Sequence, residues 1–254
     1  PKEIAEDAIR VWKKGAAIVH LHMRDDNGMG CMDVAKFREA VQRIRDNTDL
    51  VINLTTSGGE NDDNLRMEHL RQLRPEVCSY DAGTFNWALG GVFENRPDFL
   101  VELGKTALEY DIKPEIEVFD AGMLSNAIAY SGYKLLKTPC HFQFVLGVLG
   151  AMDGSVENLE YLHRRLPEGS TWSVTGIGRA HMPMLLTGLA LGCDGLRVGL
   201  EDNLYLEKGV KGTNVKLVER AAAIARLAGR EPATADEARA MLGITRHALA
   251  EYKG

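Results

Sequence analysis

Apolar residues recur along the chain in two alternating patterns. Short apolar runs, some alternating with polar residues, predict β-strands, whereas spacings of three and four residues predict helices. In the first segment Ile4, Ala8, Ile9 and Trp12 share one helical face. Seven strands are predicted after it, at residues 17–23, 50–55, 77–80, 113–119, 141–146, 171–175 and 195–200. Helices are predicted between and after the strands, at 34–46, 63–73, 97–110, 121–136, 156–166, 179–191 and 215–228, with two short helices in 234–252.

This alternation of strand and helix with short loops predicts an α/β fold with a parallel sheet. A (β/α)8 TIM barrel needs eight strands, and this sequence opens with a helix, so the first barrel strand is absent or was not included. An open doubly wound sheet is the alternative. Polar residues cluster at the carboxyl ends of several strands, which favours the barrel. We expect one domain over 1–254, with a short C-terminal helical extension from about residue 232.

Charge and cysteine content narrow the range of expected partners and cellular compartments. The net charge is −6 and no basic cluster stands out, so neither nucleic acid nor a membrane is an expected partner. The four cysteines, at 31, 78, 140 and 193, form no C-x-x-C pair, which indicates a reducing compartment. No apolar run approaches a membrane span and no signal peptide is recognisable, so we expect a cytoplasmic protein.

Two histidines stand one residue apart at the end of the first apolar run. The segment 16–26 reads AAIVHLHMRDD, and in a strand His20 and His22 share one face. Two imidazoles at this spacing can bind one metal ion, with a carboxylate completing the set. The alternative is that one or both histidines are hydrogen-bonded core residues. For a His-x-His pair at the polar end of a strand we favour the metal site.

Two later strands carry charged residues on one face and apolar residues on the other. Glu115 and Glu117 share a face of 113–119, and Arg197 and Glu201 share a face of the segment 195–201. If the apolar faces meet the helices, these charges face the barrel interior and need partners there. A metal bound by His20, His22 and Glu201 satisfies this need, and a buried Arg–Glu pair without a metal is the alternative.

Five segments, in order, identify a family resemblance. They are IVHLHMRDDNG, VINLTTSGG, PEIEVFD, FQFVLGVLG and LRVGLEDN, and the likeness runs from the first helix to about Tyr205. The sequence resembles the β-keto acid cleavage enzymes. The resemblance implies a (β/α)8 barrel, one divalent metal, usually zinc (Zn²⁺), and exchange between a β-keto acid and acetyl-CoA that yields acetoacetate and a new CoA thioester. It also implies a homo-oligomer, with a tetramer as one form.

The resemblance also assigns expected roles to individual residues. The expected metal ligands are His20, His22 and Glu201; the acid/base pair is Arg197 with Asp202; Glu117 lines the substrate pocket; and Thr56, Ser57 and Thr84 hold the substrate carboxylate. Family members carry a strand before the first helix whose residues help to line the site, and this sequence starts after it. Were that strand truly missing, the barrel would have an unpaired edge and an open pocket.

The implied chemistry suits these residue types. A metal polarises the keto group as a Lewis acid, and Asp202 is the expected general base. The nucleophile formed from the keto acid attacks the acetyl-CoA thioester, and retro-Claisen cleavage divides the adduct. Loop amides at 57–59 are expected to help hold the carboxylate. The Gly-rich segment 176–179 before a helix is too weak a signal to assign contacts to CoA.

Two other functions stay open at this point. A metal-dependent hydrolase of the amidohydrolase type also begins with His-x-His, but it needs two further histidines at strand ends, and His141, His163 and His181 fit these positions poorly. A non-catalytic binding protein on a barrel scaffold is the other. The remaining histidines, His69 and His247, lie among charged residues and are expected to be solvated.

Overall fold

Seven parallel strands form one curled sheet, and their order in the sheet is their order along the chain. The structure is a computed structural model that describes residues 1–58 and 62–247. The neighbouring strands pair in parallel throughout. The strands are β1 (Ile18–Leu21), β2 (Val51–Leu54), β3 (Val77–Asp81), β4 (Lys113–Val118), β5 (His141–Leu146), β6 (Thr171–Gly176) and β7 (Gly195–Leu196). The α/β barrel predicted from the sequence is confirmed.

Nine helices of the described chain precede, separate and follow these strands. They are α1 (Lys2–Trp12), α2 (Val34–Asn47), α3 (Leu65–Leu73), α4 (Pro97–Glu109), α5 (Ala121–Gly132), α6 (Val156–His163), α7 (His181–Leu191), α8 (Asn214–Leu227) and α9 (Ala235–Leu242). Several begin at side chains that accept hydrogen bonds from the first turn, namely Asp33, Asp120, Ser155, Thr213 and Thr234. Among the residues described, no helix has the length and apolar character that a membrane crossing requires.

The two outer strands are shorter than predicted. Strand β1 ends at Leu21, because Met23–Arg24 turns away to pair antiparallel with Gly30–Cys31. Strand β7 ends at Leu196, although the N–H of Arg197 still bonds to the carbonyl of Val174, because the chain then bends towards Asn214. Within the described residues β1 and β7 do not pair with each other, and both line a cleft of about 1640 Å³. Their carboxyl ends are joined by side chains instead.

The predicted tail is helical only in part within the described residues. Helix α9 lies against the amino ends of β2 and β3, where Ala238 and Leu242 pack with Val51 and Val77. Residues 243–247 are not helical, and most of the second predicted tail helix falls on 248–252, outside the described residues. The tail therefore covers the mouth of the barrel opposite the polar strand ends.

A buried ion pair fastens α9 to the barrel. The Arg239 guanidinium lies 2.6 Å from the Glu76 carboxylate, and the two side chains are 6% and 2% exposed. Arg239 also donates to the carbonyl of Asp49, at 2.8 Å. Because both charges are away from water, removing one partner leaves the other uncompensated.

We expect Arg239→Ala to lower the free energy of unfolding by about 3–5 kcal/mol, because Glu76 is then buried without a counter-charge. Arg226→Ala is the matched control, since its pair with Glu231 is exposed and contributes about 0–1 kcal/mol. Urea unfolding followed by circular dichroism measures both. Equal effects of the two substitutions would contradict the role given to the Arg239 pair.

Candidate active site

His20, His22 and Glu201 converge where the ends of β1 and β7 meet. The Nε2 atoms of the two histidines are 2.9 Å apart, and the Glu201 carboxylate lies 3.0 Å from His22 and 3.6 Å from His20. Burial lowers the pKa of His20 to about 4, so its ring is neutral and has a lone pair for a metal. A tetrahedral zinc site separates two ligand nitrogens by about 3.3 Å, close to the spacing here. These three residues fit a divalent metal.

Arg197 contacts three carboxylates beside this cluster. Its guanidinium bonds to Asp202 through Nε at 3.0 Å and through Nη2 at 3.3 Å. The same group lies 2.9 Å from Glu201 and 3.1 Å from Glu117, the last at ion-pair distance without hydrogen-bond geometry. The Thr175 hydroxyl also reaches Asp202, at 3.4 Å. One cation thus links the candidate metal ligand to two further acidic side chains.

The three carboxylates titrate differently because their surroundings differ. Burial raises the pKa of Asp202 and, more strongly, that of Glu117, although Arg197 opposes both shifts. Burial also acts against ionisation of Glu201, but Arg197 and the two histidines outweigh it and hold its pKa well below the usual value. Glu201 is therefore an anionic candidate ligand, while the pKa of Asp202 moves towards neutrality, as suits a general base.

The three predicted hydroxyl residues lie on two neighbouring loops and differ in availability. Thr56 is fully buried, and its hydroxyl donates to the carbonyl of Ser79 at 3.1 Å. Ser57 is half-buried, and Thr84 is exposed with its oxygen accepting the Asn95 N–H at 2.7 Å. Gly59, one of the predicted loop amides, lies outside the described residues. Their role in substrate binding stays a prediction.

Arg66 joins these two loops, and no motif or spacing in the sequence singles it out. Its Nε donates to the carbonyl of Thr56 at 2.8 Å, and its Nη2 donates to Asn95 Oδ1 at 2.5 Å. Asn95 in turn donates to the carbonyl of Gly83. Arg66 is 4% exposed and lies over the ring of Phe99. Its guanidinium therefore fixes the spacing of the loops that carry Thr56 and Thr84.

Asp81 is a second residue that sequence reasoning did not select. It ends β3, is 3% exposed, and its Oδ2 has no hydrogen-bond partner among residues 1–58 and 62–247. Burial raises its pKa to about 6, against the charges of Arg66 and Arg197. Its position at the carboxyl end of a strand, like that of His20, is the signal that would have found it.

The other histidines do not join the candidate metal ligands. His141 lies deeper, bonded to Thr171, while His163 packs on Trp172 and His181 faces Arg220. In the part of the chain described, no group that could hold a metal includes any of them. The additional histidines of an amidohydrolase site are therefore not assembled.

Two amides of the Gly-rich segment before α7 already have hydrogen-bond partners. The N–H of Gly178 donates to Asn203 Oδ1 at 2.8 Å, and the N–H of Ile177 bonds to the carbonyl of Leu146. Asn203 also donates to the carbonyl of Gly176. This segment is held by the residue that follows Asp202, which gives it a structural part beside the cluster.

The fold and the polar cluster define an α/β-barrel protein with a candidate metal centre at the carboxyl ends of its strands. A family model described as beta-keto acid cleavage enzyme matches residues 1–244, and the chain belongs to this family. The resemblance seen in the sequence is confirmed. The chain is accordingly an enzyme that cleaves a C–C bond with the use of acyl-CoA, which excludes the non-catalytic alternative.

Two curated relatives illustrate the range of the family. A 3-keto-5-aminohexanoate cleavage enzyme of Fusobacterium nucleatum subsp. nucleatum is 40% identical over 245 residues, which cover 96% of this chain and 89% of that protein. A 3-oxoadipate:acetyl-CoA acetyltransferase of Cupriavidus necator is 35% identical over 95% of this chain and 86% of that protein. The two names specify different keto acids, so relatives at this identity differ in substrate.

Solved structures support the fold. The apo structure of ObcA matches with a TM-score of 0.85 and 24% identity, covering 96% of this chain and 64% of that one. A ternary complex of ObcA with a C4-CoA adduct and oxalate matches equally well and is covered to 66%. The chain thus spans about two thirds of these structures. At this identity the likeness concerns the fold alone.

His69, predicted to be solvated, is fully buried, and that prediction was wrong. It lies on the inner face of α3, its ring stacks on Phe37 with centroids 4.4 Å apart, and its Nε2 donates to the carbonyl of Thr55 at 2.8 Å. Burial lowers the pKa of His69 to about 4. The neutral ring supports the strand end that leads into Thr56.

We expect stability to depend on pH through His69. Its pKa is lower in the folded protein than in the unfolded chain, so the stabilisation is complete above pH 6.5 and is lost as the pH falls towards 4. The His69→Gln variant, whose amide still donates to Thr55, should lose about 2 kcal/mol less than wild type between pH 7 and pH 5. Urea unfolding at the two pH values measures this loss of stability. The same loss in wild type and in His69→Gln would contradict the prediction.

Proposed function

We propose that the chain exchanges acyl groups between a β-keto acid and acetyl-CoA, releasing acetoacetate and a new acyl-CoA, at a zinc site bound by His20, His22 and Glu201. The contact of Arg197 with both Glu201 and Asp202 carries this proposal, because it keeps the carboxylate that we assign as the general base close to the candidate ligands. The names of the relatives, which pair β-keto acids with acetyl-CoA, support it.

Two imidazole nitrogens and one carboxylate suit zinc and leave coordination positions open. When bound there, the metal supplies a Lewis acid for the keto group of the substrate. The His20 side chain is 12% exposed, whereas that of Glu201 is 42% exposed. The ligand set therefore combines one buried group with one that solvent and substrate can reach.

Asp202 removes a proton from the carbon between the keto and carboxylate groups. Burial raises its pKa, which makes it a stronger base, and Arg197 fixes its orientation through two hydrogen bonds. The resulting carbon nucleophile attacks the thioester carbonyl of acetyl-CoA, forms a C–C bond and releases CoA. The CoA thiolate then adds to the original keto carbon. The bond from that carbon to the former nucleophilic carbon breaks, and Asp202 returns its proton to the latter, which gives acetoacetate and the new acyl-CoA.

Glu117 and the loop hydroxyls complete the proposed site. Glu117, 6% exposed, holds Arg197 from the side opposite Asp202 and lines the substrate pocket. The Thr84 hydroxyl accepts a backbone bond and keeps its own proton, which it donates to the substrate carboxylate together with Ser57. Thr56, whose hydroxyl donates a hydrogen bond to the carbonyl of Ser79, contributes by fixing the loop. The homo-oligomer and the cytoplasmic location stay predictions.

The first experiment measures bound metal and products. Wild type purified without chelator should carry about one zinc per chain and convert a β-keto acid with acetyl-CoA to acetoacetate, detected by mass spectrometry. Glu201→Ala should lose the metal and the activity. Asp202→Asn should keep the metal and lose about 10²–10⁴-fold in kcat.

The exposed carboxylate variant Asp98→Asn is the control, and it should match wild type in metal content and in kcat. Absence of acetoacetate with every β-keto acid tested, from protein that carries its metal, would contradict the proposed reaction. Two metals per chain that survive the Glu201 substitution would favour the hydrolase instead.

Arg197→Lys tests the role of the guanidinium. Lysine keeps the charge but lacks the planar group that contacts three carboxylates at once. We expect kcat to fall by roughly 10²-fold, and the acidic limb of kcat/KM to move to higher pH, because Asp202 loses the two guanidinium hydrogen bonds that help to oppose the rise of its pKa. A profile that coincides with wild type would show that Arg197 does not act on the base. Arg226→Lys is the exposed control.

A further inference from the structure

The barrel interior holds a polar group that the proposed reaction does not use. Asn53, Glu115, His141, Gln143 and Ser173 come from four strands and are at most 7% exposed. Glu115 precedes Glu117 by two residues in β4, so it lies one side-chain layer deeper in the barrel. Barrel interiors are usually filled by branched apolar residues. A buried carboxylate at this depth is therefore unusual and needs a structural or functional explanation.

Glu115 is held in one orientation by its neighbours. Asn53 Nδ2 donates to Glu115 Oε1 at 2.7 Å, and His141 Nε2 lies 3.6 Å from Oε2. His141 is fixed by Thr171 at its other ring nitrogen, at 2.8 Å. Ser173 lies 3.3 Å from His141. The carboxylate thus occupies a defined position in the barrel wall, with acceptor capacity left over.

His20 has one ring nitrogen towards the candidate metal ligands and one without a partner. Its Nε2 faces His22 and Glu201, whereas Nδ1 is buried and finds no hydrogen-bond partner in the described segments. A metal at Nε2 takes that lone pair, so the ring proton must sit on Nδ1. A buried N–H without an acceptor costs about 1–3 kcal/mol. Nδ1 therefore needs an acceptor.

Two buried carboxylates lie near His20, those of Glu115 and Glu117, and Glu117 is already paired with Arg197. A ring nitrogen of His20 and a carboxylate oxygen of Glu115 lie within 4.8 Å of each other, a separation that one water spans with two hydrogen bonds of about 2.8 Å. His20 pairs in register with Asn53, whose Oδ1 is also buried without a partner among the described residues. All three residues line the same cleft, and a water between them would have three polar neighbours.

We propose that Glu115, held by Asn53, is a positioning residue that accepts the Nδ1 proton of His20 through one buried water and so keeps Nε2 directed at the metal. This inference rests on the proposed metal site. Partners of this kind fix the ring and its tautomer, and their loss costs about 10–100-fold in metal affinity. Glu115 touches neither substrate nor metal in this arrangement.

The test compares the zinc dissociation constants of wild type, Glu115→Gln and the matched control Glu76→Gln, by competition with a chromogenic chelator. Glu76 is also a buried carboxylate at a strand of the same sheet, but at the opposite mouth, where it pairs with Arg239. We expect Glu115→Gln to bind zinc about 10-fold or more weakly, and Glu76→Gln to lose stability while keeping the wild-type affinity.

The outcomes separate this inference from the proposed function. Wild type that binds no zinc would overturn the metal site and this inference together. Wild type that binds zinc, with Glu115→Gln binding it equally well, would overturn the positioning role alone. Equal weakening by Glu76→Gln would also overturn it, since the loss would then reflect a looser fold.

A second variant covers the case in which Glu115→Gln does not fold. Asn53→Ala removes the hydrogen bond that orients Glu115 but leaves the carboxylate in place, and it should weaken zinc binding to a smaller degree. The visible absorption of bound Co²⁺ provides a readout of ligand geometry, and it should shift in both variants. Wild-type affinity and an unshifted Co²⁺ spectrum in Asn53→Ala would overturn the inference.

Discussion

The polar end of this barrel depends on one cation, the guanidinium of Arg197, lying in contact with three carboxylates. Without it Glu117, Glu201 and Asp202 would be like charges crowded at the end of the sheet, two of them buried, a costly arrangement. With it, the pKa of Glu201 falls well below its usual value, whereas burial still raises the pKa values of Asp202 and Glu117 against the opposing charge of Arg197. Environments that push neighbouring carboxyl groups apart in this way separate a ligand from a base.

The parallel sheet is what brings these groups together. His20 and Glu117 lie near the ends of the first and fourth described strands, and Arg197 follows the last. All three meet because parallel strands present their carboxyl ends at one mouth. The loops there are fixed by buried contacts: Arg66 joins two of them, and Asn203 holds a third. Several loops around the site are thus held in place by buried hydrogen bonds, as preorganised electrostatic catalysis requires.

Periodicity predicted the order and type of the elements well and their ends less well. The outer strands β1 and β7 were predicted too long, because apolar alternation continues past the points where the chain turns away from the sheet. His69 was wrongly predicted to be solvated because its neighbours in the sequence are charged. Its spacing of three from Arg66 and four from Leu73 puts it on the buried stripe of α3, a pattern that only the packing against Phe37 makes plain.

The sequence by itself determined the alternating α/β architecture, the family, and the side chains that meet at the candidate metal centre, because periodicity and short motifs are local properties. Only the tertiary structure decided which carboxylates share Arg197, that Arg66 links two loops, and that Glu115 lies behind His20. Each of these depends on distances between residues far apart in the chain. The pKa shifts that separate Glu201 from Asp202 follow from those distances and from burial. Both depend on how distant segments pack together, so no single segment of the sequence predicts them.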